Sequence, residues 1–225
     1  MKQKAGRDQR GFTLLEIIVV LAVIGALAAM LAPVVFRYID DAKKAQAQSD
    51  VNTIAAGIQQ MYKDTGRWAF YKDGTAKLAY TTGTDASVLS SNPACGGAGT
   101  ATACDTTAPF ESGTVSWSLA TGKADTLTDQ LITNTPFNSG SGTAYVTTGN
   151  RAWKGPYLDK VPPLDPWGRS YLVNIGNADP AAEGTTQKWV VVISAGPNGT
   201  LDSTGTTAGT SNPSAGGDDI VARVK

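Results

Sequence analysis

Residues 10–16 read Arg10-Gly11-Phe12-Thr13-Leu14-Leu15-Glu16, and the twenty residues that follow, Ile17 to Phe36, carry no charge. A helix rises about 1.5 Å per residue, so twenty residues span about 30 Å, the hydrocarbon thickness of a bilayer. This run therefore predicts a membrane-spanning helix. Glu16 at its head is unusual, because a carboxylate deep in hydrocarbon costs roughly 2.5–3.5 kcal/mol and rarely lies there without a partner.

The segment before the apolar run is basic, with four Lys or Arg residues and one Asp within residues 1–11. A secretory signal is cut after its apolar core, at small residues. Here the candidate cleavage point, Gly11, precedes the core. Cleavage there leaves the apolar segment on the mature chain, with Phe12 as its N-terminus. The alternative is an ordinary signal anchor that happens to contain a glutamate.

The Gly11-Phe12 junction, Glu16 and the apolar run together resemble the prepilin leader of type IV pilins and type II secretion pseudopilins. The resemblance implies that a prepilin peptidase removes residues 1–11 and that Phe12 becomes N-methylated. It also implies that Glu16 pairs with the amine of Phe12 on a neighbouring subunit, since a charge in a low-dielectric core needs a partner. Pro33 should kink the helix, because proline removes a backbone donor, and we group it with Phe12 and Glu16 as an assembly residue.

Composition limits the remaining function classes. The chain has 19 basic and 19 acidic residues and no histidine; without residues 1–11 it keeps 15 basic and 18 acidic residues. Nucleic-acid binding requires clustered Lys and Arg, so no nucleic-acid partner is expected. The absence of histidine removes Ser-His and Cys-His catalytic pairs and His-ligated metals. We therefore expect a protein that is not an enzyme, and an anchored hydrolase is the least favoured class.

Two cysteines, Cys95 and Cys104, enclose a short loop of small residues. An even number of cysteines in an exported chain favours a disulfide. Metal binding is the alternative, but two thiols without a nearby histidine do not make a zinc site. The pair thus predicts a disulfide and a periplasmic or extracellular location.

Residues 37–66 continue the apolar helix as an amphipathic one. Apolar side chains recur there at three- and four-residue steps, which indicates one buried stripe: Val51, Ile54, Ala55, Ile58, Met61 and Tyr62. Thr65-Gly66 supplies a stop, because glycine is the usual residue just past a helix end. We therefore expect a membrane or filament-core helix over residues 12–36 and its amphipathic continuation over residues 37–66.

Residues 67–154 are rich in Gly, Thr, Ser and Ala and predict a loop-rich variable segment. Within it, Asp125 to Thr133 is compatible with a short helix, and Thr114 to Leu119 and Thr143 to Thr147 with strands. Scattered aromatic residues there indicate local core rather than a ligand platform.

Residues 155–225 predict a small antiparallel sheet. Asp165-Pro166-Trp167-Gly168 is typical of a tight turn, with proline fixing φ and glycine supplying freedom. Three β-branched or aromatic runs follow and predict strands: Tyr171 to Ile175, Trp189 to Ser194, and Ile220 to Val224. The apolar face of this sheet would cover the helix stripe, so the expected fold is α+β, a long N-terminal helix packed on a small C-terminal sheet.

This C-terminal half, and especially the Asp-Pro-Trp-Gly turn with Ser194 to Gly199 and Asp218-Asp219-Ile220, resembles the type II secretion major pseudopilin. That family binds calcium in the matching loop. Calcium takes six to eight oxygens from carboxylates, amides and carbonyls, and the candidate ligands here are Asn198, the carbonyl of Leu201, Asp202, Asp218 and Asp219. The alternative is that they are turn residues and a strand-initiating acidic pair. A Thr/Gly/Ser-rich insertion, Ser203 to Ala215, separates the two halves of the loop.

The resemblance implies a filament subunit of a type II secretion pseudopilus or a type IV pilus. Its partners would be further copies of itself, the prepilin peptidase, the membrane before assembly and the inner-membrane assembly machinery. It would lie in the inner membrane and then in a periplasmic pseudopilus or a cell-surface pilus. The alternative function is a membrane-anchored minor pilin or adhesin whose middle segment binds a surface or ligand.

Overall fold

The computed structural model describes residues 12–66, 88–91, 110–111, 124–135, 145–174, 190–203 and 216–224. The chain divides into two compact units, Met1–Ala42 and Lys43–Lys225. Helix α1, Leu14–Thr65, contributes residues to both units. The first unit is described by the beginning of α1 alone, and the second contains the rest of α1 and the sheet.

Both ends of α1 follow from local chemistry. The helix begins at Leu14, directly after Thr13, and it ends at Thr65. Gly66 has a φ of 68°, in the left-handed region, and its N–H donates to the Tyr62 carbonyl at 2.8 Å. A left-handed glycine closing a helix end is the stop that the sequence predicts, so this boundary is confirmed. The helix continues through Pro33 without interruption.

The second half of α1 buries one stripe, which confirms the predicted amphipathic pattern. Its fully buried apolar side chains fall at four- and three-residue steps: Ala47, Val51, Ile54, Ile58 and Met61. Ala55 is partly buried at the edge of the stripe, and Tyr62 is 37% exposed. Burying a large aliphatic side chain stabilises a fold by about 1.5–3 kcal/mol, so this stripe holds α1 to the domain.

The main sheet is built from five strands: β1, Val88–Ser90; β3, Ala124–Thr126; β4, Leu172–Asn174; β5, Val190–Ser194; and β7, Ile220–Val224. In space they lie in the order β3-β1-β4-β5-β7. The pairs β1·β4, β4·β5 and β5·β7 are antiparallel, whereas β1·β3 is parallel. A separate parallel pair joins β2, Phe110–Glu111, to β6, Thr200–Leu201.

The two faces of the sheet bury different clusters. Alternate residues of the strands share a buried cluster with the stripe of α1, among them Leu89, Val173, Val190, Val192, Ala222 and Val224, and Tyr171, just before β4, joins them. The opposite face forms a smaller cluster of Leu172, Ile193, Ala195 and Leu201, with Val221 packed against it. Because successive side chains of a strand point to opposite faces, this two-residue alternation places the helix on one face only. The α+β fold with a long helix on a mainly antiparallel sheet is confirmed.

Two strands of the sheet, β1 and β3, come from residues 67–154, where the sequence indicates mainly loop. The short helix predicted over Asp125 to Thr133 is present as a π-helix over Asp129–Thr133, but the prediction is wrong for Asp125 and Thr126, which lie in β3. Residues 145–147 lie outside any strand, so the strand predicted over Thr143 to Thr147 is wrong for them. Thr114 to Leu119 lies outside the described residues.

Candidate assembly and cation sites

The start of α1 carries a reciprocal pair of hydrogen bonds between Thr13 and Glu16. The backbone N–H of Glu16 donates to Thr13 Oγ1 at 3.3 Å. In return, Glu16 Oε2 accepts from the backbone N–H of Thr13 at 3.2 Å and from its hydroxyl at 3.3 Å. This is a capping box, in which a threonine before the helix and a glutamate three residues later satisfy each other's free donors. The Thr-x-x-Glu spacing in the sequence indicates this capping box, although Glu16 was predicted there only as an assembly residue.

The large apolar side chains of the first unit are exposed throughout its described part, residues 12–42. Phe12 is 82% exposed and Leu14 77%, and the large apolar side chains between Leu15 and Phe36 are all exposed. By length and composition α1 can cross a membrane, and none of its most apolar 18-residue stretch is buried within the protein. A surface of this extent on one element marks a membrane or protein contact rather than a water-facing helix. The first charged residue after Glu16 is Arg37, at the end of this apolar part.

The predicted cation loop is an excursion between two paired residues of the sheet. Ser194 at the end of β5 lies opposite Ile220 at the start of β7, so the segments on either side of the insertion are held together. Hydrogen bonds cross between these segments. The N–H of Asn198 donates to Asp218 Oδ2 at 2.9 Å, and the N–H of Asp202 donates to Asp219 Oδ2 at 2.8 Å.

Four of the five predicted ligand residues therefore belong to one cluster. The Asn198 amide also donates to Asp202 Oδ2 at 2.9 Å, while its own Oδ1 accepts from the N–H of Thr200 at 2.7 Å. Ser203 adds a second backbone donor to Asp219 Oδ2. Leu201, the fifth predicted ligand, lies in β6 with its side chain in the smaller apolar cluster; the use of its carbonyl stays a prediction.

The cluster leaves two carboxylate oxygens without a donor. Asp218 Oδ1 and Asp219 Oδ1 are buried and have no hydrogen-bond partner among the described residues. Asp219 is only 8% exposed. Burial raises the pKa of the Asp219 carboxyl, an effect opposed by the hydrogen bonds from Ser203 and Asp202 and reinforced by the charge of Asp202. A buried acceptor left unpaired costs about 1–3 kcal/mol, and more when charged, so these two oxygens destabilise the cluster as it stands.

These residues fit a calcium ion in part. Within the described ranges no group of three or more His, Cys, Asp or Glu side chains is arranged to hold a metal. Calcium, however, also accepts amide and backbone oxygens. Asp218 and Asp219 would each contribute the oxygen that now lacks a donor, and Asn198 and Asp202 stand next to them with one oxygen each already hydrogen-bonded. A bound cation would supply the charge that this cluster lacks.

The remaining predicted sites stay predictions. Gly11, Cys95 and Cys104 lie outside the described residues, so leader cleavage and the disulfide are untested. Pro33 lies within α1, where it cannot donate to the Ala29 carbonyl, but this covalent fact assigns no role in assembly.

Two family models match the chain, at opposite ends. The prokaryotic N-terminal methylation motif matches residues 6–32, and protein G of the type II secretion system (T2SS) matches residues 141–212. The first match covers the Gly11-Phe12 junction and the beginning of α1. The second covers β4, β5, β6 and the first half of the acidic loop.

Curated relatives include type II secretion core proteins and a pilin. The type II secretion system core protein G of Pseudomonas aeruginosa is 47% identical over 57 residues, 25% of this chain and 39% of that protein. The corresponding protein of Dickeya chrysanthemi is 35% identical over 72 residues, 32% of this chain and 47% of its own length. The toxin coregulated pilin of Vibrio cholerae is 33% identical over 75 residues, 33% of this chain and 34% of its own.

The matched part of the chain thus spans less than half the length of each of these relatives. No solved structure matches the chain significantly. With its helix-on-sheet fold, the chain is similar to type IV pilin-like proteins, through the prokaryotic N-terminal methylation motif at residues 6–32 and the type II secretion protein G model at residues 141–212.

Proposed function

We propose that the chain is a structural subunit that polymerises through the apolar half of α1 into a pseudopilus or type IV pilus filament. The observation that supports this most directly is the exposed apolar helix of the first unit, whose first turn carries Glu16 in a capping box with Thr13. The second unit buries its own core without using any of those apolar residues. The exposed helix is therefore available for hydrocarbon before assembly and for neighbouring helices afterwards.

This function requires a defined order of partners. The subunit enters the inner membrane through α1, a prepilin peptidase cuts after Gly11, and the new N-terminus at Phe12 is methylated. Membrane assembly machinery then extracts the subunit into a filament, in the periplasm for a pseudopilus or at the cell surface for a pilus. The relatives include both secretion core proteins and a pilin, so the location of the fibres distinguishes the two systems.

Intact mass and N-terminal sequencing of the protein from its host, with electron microscopy of sheared surface material and of periplasmic contents, test the proposal. A chain that begins with methylated Phe12 and forms fibres supports it. A chain that still begins at Met1, or that is cut after the apolar run, contradicts it.

Within this function, Glu16 pairs with the amine of Phe12 on a neighbouring subunit. Three variants separate its charge from its capping role. Glu16→Gln keeps the capping box, since glutamine also serves there, but removes the charge. Thr13→Ala keeps the charge and loses the cap, at a cost of about 0.5–2 kcal/mol. Glu16→Ala loses both.

We expect Glu16→Gln and Glu16→Ala to abolish fibres at normal subunit levels, and Thr13→Ala to assemble nearly as the unmodified chain does. The readout is the fibre fraction in sheared material, with membrane-bound subunit as the internal reference. Fibres formed by Glu16→Gln at the unmodified level would show that the charge is not used.

We also propose that the acidic loop binds calcium, through Asp218 and Asp219 with Asn198, Asp202 and the Leu201 carbonyl. The two buried carboxylate oxygens without donors support it. Titration calorimetry of the chelator-stripped full chain in detergent micelles, with calcium and with magnesium, tests it. Calcium should bind and the Asp219→Asn variant should not, while magnesium should bind more weakly, because it demands stricter octahedral geometry. Absence of any calcium heat would contradict the proposal.

A further inference from the structure

The turn that begins at Asp165 lies outside the acidic loop but is hydrogen-bonded to Ser194, the residue from which the loop starts. Asp165 is 5% exposed, and its Oδ1 accepts from the backbone N–H groups of Trp167 and Arg169, at 3.0 and 2.8 Å. Its other oxygen, Oδ2, accepts from the Ser194 hydroxyl at 2.7 Å. Ser194 is the last residue of β5, and its Oγ also accepts from the N–H of Gly196. One buried carboxylate therefore orders the turn and ties it to the root of the loop.

The same turn meets the loop again at its tip. Gly199 is buried, has a φ of 73°, and lies so close to the Arg169 guanidinium that a Cβ at this position would overlap it. The guanidinium therefore lies on the Cα of Gly199, in space that any other residue would fill. The backbone N–H of Arg169 donates to Asp165, so this side chain starts from an ordered turn that lies outside the acidic loop.

Gly199 follows Asn198, the residue that connects the two acidic segments. The backbone of Asn198 donates to Asp218 and its side chain donates to Asp202. A displacement of the backbone at Gly199 therefore moves both connections together. The hydrogen bonds within the loop still leave Asp218 Oδ1 and Asp219 Oδ1 without donors among the described residues.

We propose that Arg169 is a positioning residue of the calcium site, which holds the Asn198-Gly199 backbone in the conformation that brings Asn198 and Asp202 to Asp218 and Asp219. The inference rests on the calcium-binding proposal above and extends it to a residue that does not touch the ion. Position and charge predict opposite effects for this residue. A guanidinium near a cation site opposes calcium by Coulomb repulsion, so removing it would strengthen binding if charge dominated.

The test is calcium titration calorimetry on the chelator-stripped full chain in detergent micelles, with Arg169→Met, Arg169→Lys and Gly199→Ala. Residues that orient metal ligands typically change affinity about 10–100-fold when replaced, and we expect each variant to weaken calcium binding at least tenfold. Arg169→Lys keeps the charge but not the planar group that lies on Gly199, so it should also weaken binding. The near-ultraviolet circular dichroism of the Arg169→Lys variant reports whether its domain remains folded.

Gly149→Ala is the matched control for Gly199→Ala. Gly149 also has a positive φ, 99°, but a Cβ there meets nothing within 4 Å. The control carries the same kind of backbone strain and should leave calcium affinity unchanged. Tighter calcium binding by Arg169→Met would overturn the inference, as would unchanged affinity with only a lower Tm in chelator. If the unmodified chain itself binds no calcium, the calcium proposal fails first and this inference fails with it.

Discussion

Replacing Tyr171 by phenylalanine should loosen the attachment of α1 to the sheet without changing the shape of the core. The Tyr171 ring is fully buried between the two, and its hydroxyl donates to Asp50 Oδ2 on α1 at 2.7 Å. The other Asp50 oxygen accepts from the Gln46 side chain at 2.8 Å. Phenylalanine fills the same space and deletes only the hydroxyl.

The expected loss follows from the kind of hydrogen bond removed. Hydrogen bonds to charged groups contribute about 1.5–3 kcal/mol. Asp50 is half-buried, so water replaces part of the lost donor, and we expect the lower end, about 1.5 kcal/mol. At about 2–4 °C per kcal/mol for a domain of this size, the Tm falls by about 3–6 °C.

Denaturant unfolding of the full chain in micelles measures this, with a double-mutant cycle of Tyr171→Phe and Asp50→Ala to isolate the pair. The matched control is Tyr38→Phe, on the same helix with a side chain 70% exposed, which should stay within about 0.5 kcal/mol. A loss below about 0.5 kcal/mol for Tyr171→Phe, or no coupling in the cycle, would refute the reasoning.

The Tyr171–Asp50 pair should also make the stability of the domain depend on pH above pH 10. Burial, and then the hydrogen bond and charge of Asp50, raise the pKa of Tyr171 above its ordinary value of 10.0. A raised folded-state pKa means that this contribution is fully present below pH 10 and is lost above it, where the unfolded chain ionises and the folded one keeps its proton. The free energy of unfolding should fall by about 1.4 kcal/mol per pH unit in this range, and the Tyr171→Phe variant should lack this decrease.

Two further changes test the helix packing and the acidic loop. Gly57→Ala should destabilise the domain by about 1 kcal/mol, because the new Cβ would lie 2.9 Å from Leu158 Cγ and overpacking outweighs the gain in helix propensity. The double variant Gly57→Ala/Leu158→Ala should relieve the clash. The control Gly25→Ala, where a Cβ would meet nothing within 4 Å, should not affect thermal unfolding of the domain. Asp219→Asn should raise the Tm in chelator at neutral pH. The reason is that a carboxyl whose folded-state pKa is raised stabilises the fold only below its unfolded-state pKa of about 3.9, and this contribution is lost as the pH rises. In calcium, the unmodified chain should instead have the higher melting temperature.

The parts of the fold that were predictable are those fixed by neighbouring residues. The apolar stripe of α1 and its stop at Gly66 follow from local spacing and glycine chemistry. The strands Val190–Ser194 and Ile220–Val224 are runs rich in β-branched residues, and they were predicted almost to their ends. In each case the local preference and the tertiary structure agree.

Strands β1 and β3 could not be predicted, because three residues carry too little pattern. Leu89 is held by pairing with Val173, a residue far away in the chain, and Ala124–Thr126 extends the sheet by pairing with β1. Strand preference depends on such packing more than on the residue itself. The candidate site divides in the same way: its acidic residues are visible in the sequence, but the buried oxygens without donors and the contact of Arg169 with Gly199 depend on long-range geometry.

The capping box at Thr13 and Glu16 changes the thermodynamics of assembly under the proposed function. The Glu16 carboxylate already has two donors from Thr13 in the single subunit. Pairing with a neighbour's amine is then an exchange of one satisfied state for another, and only the difference between them contributes to filament stability. The charge pair then acts mainly on register, because a subunit docked without it would leave the Phe12 amine of its neighbour buried and unpaired.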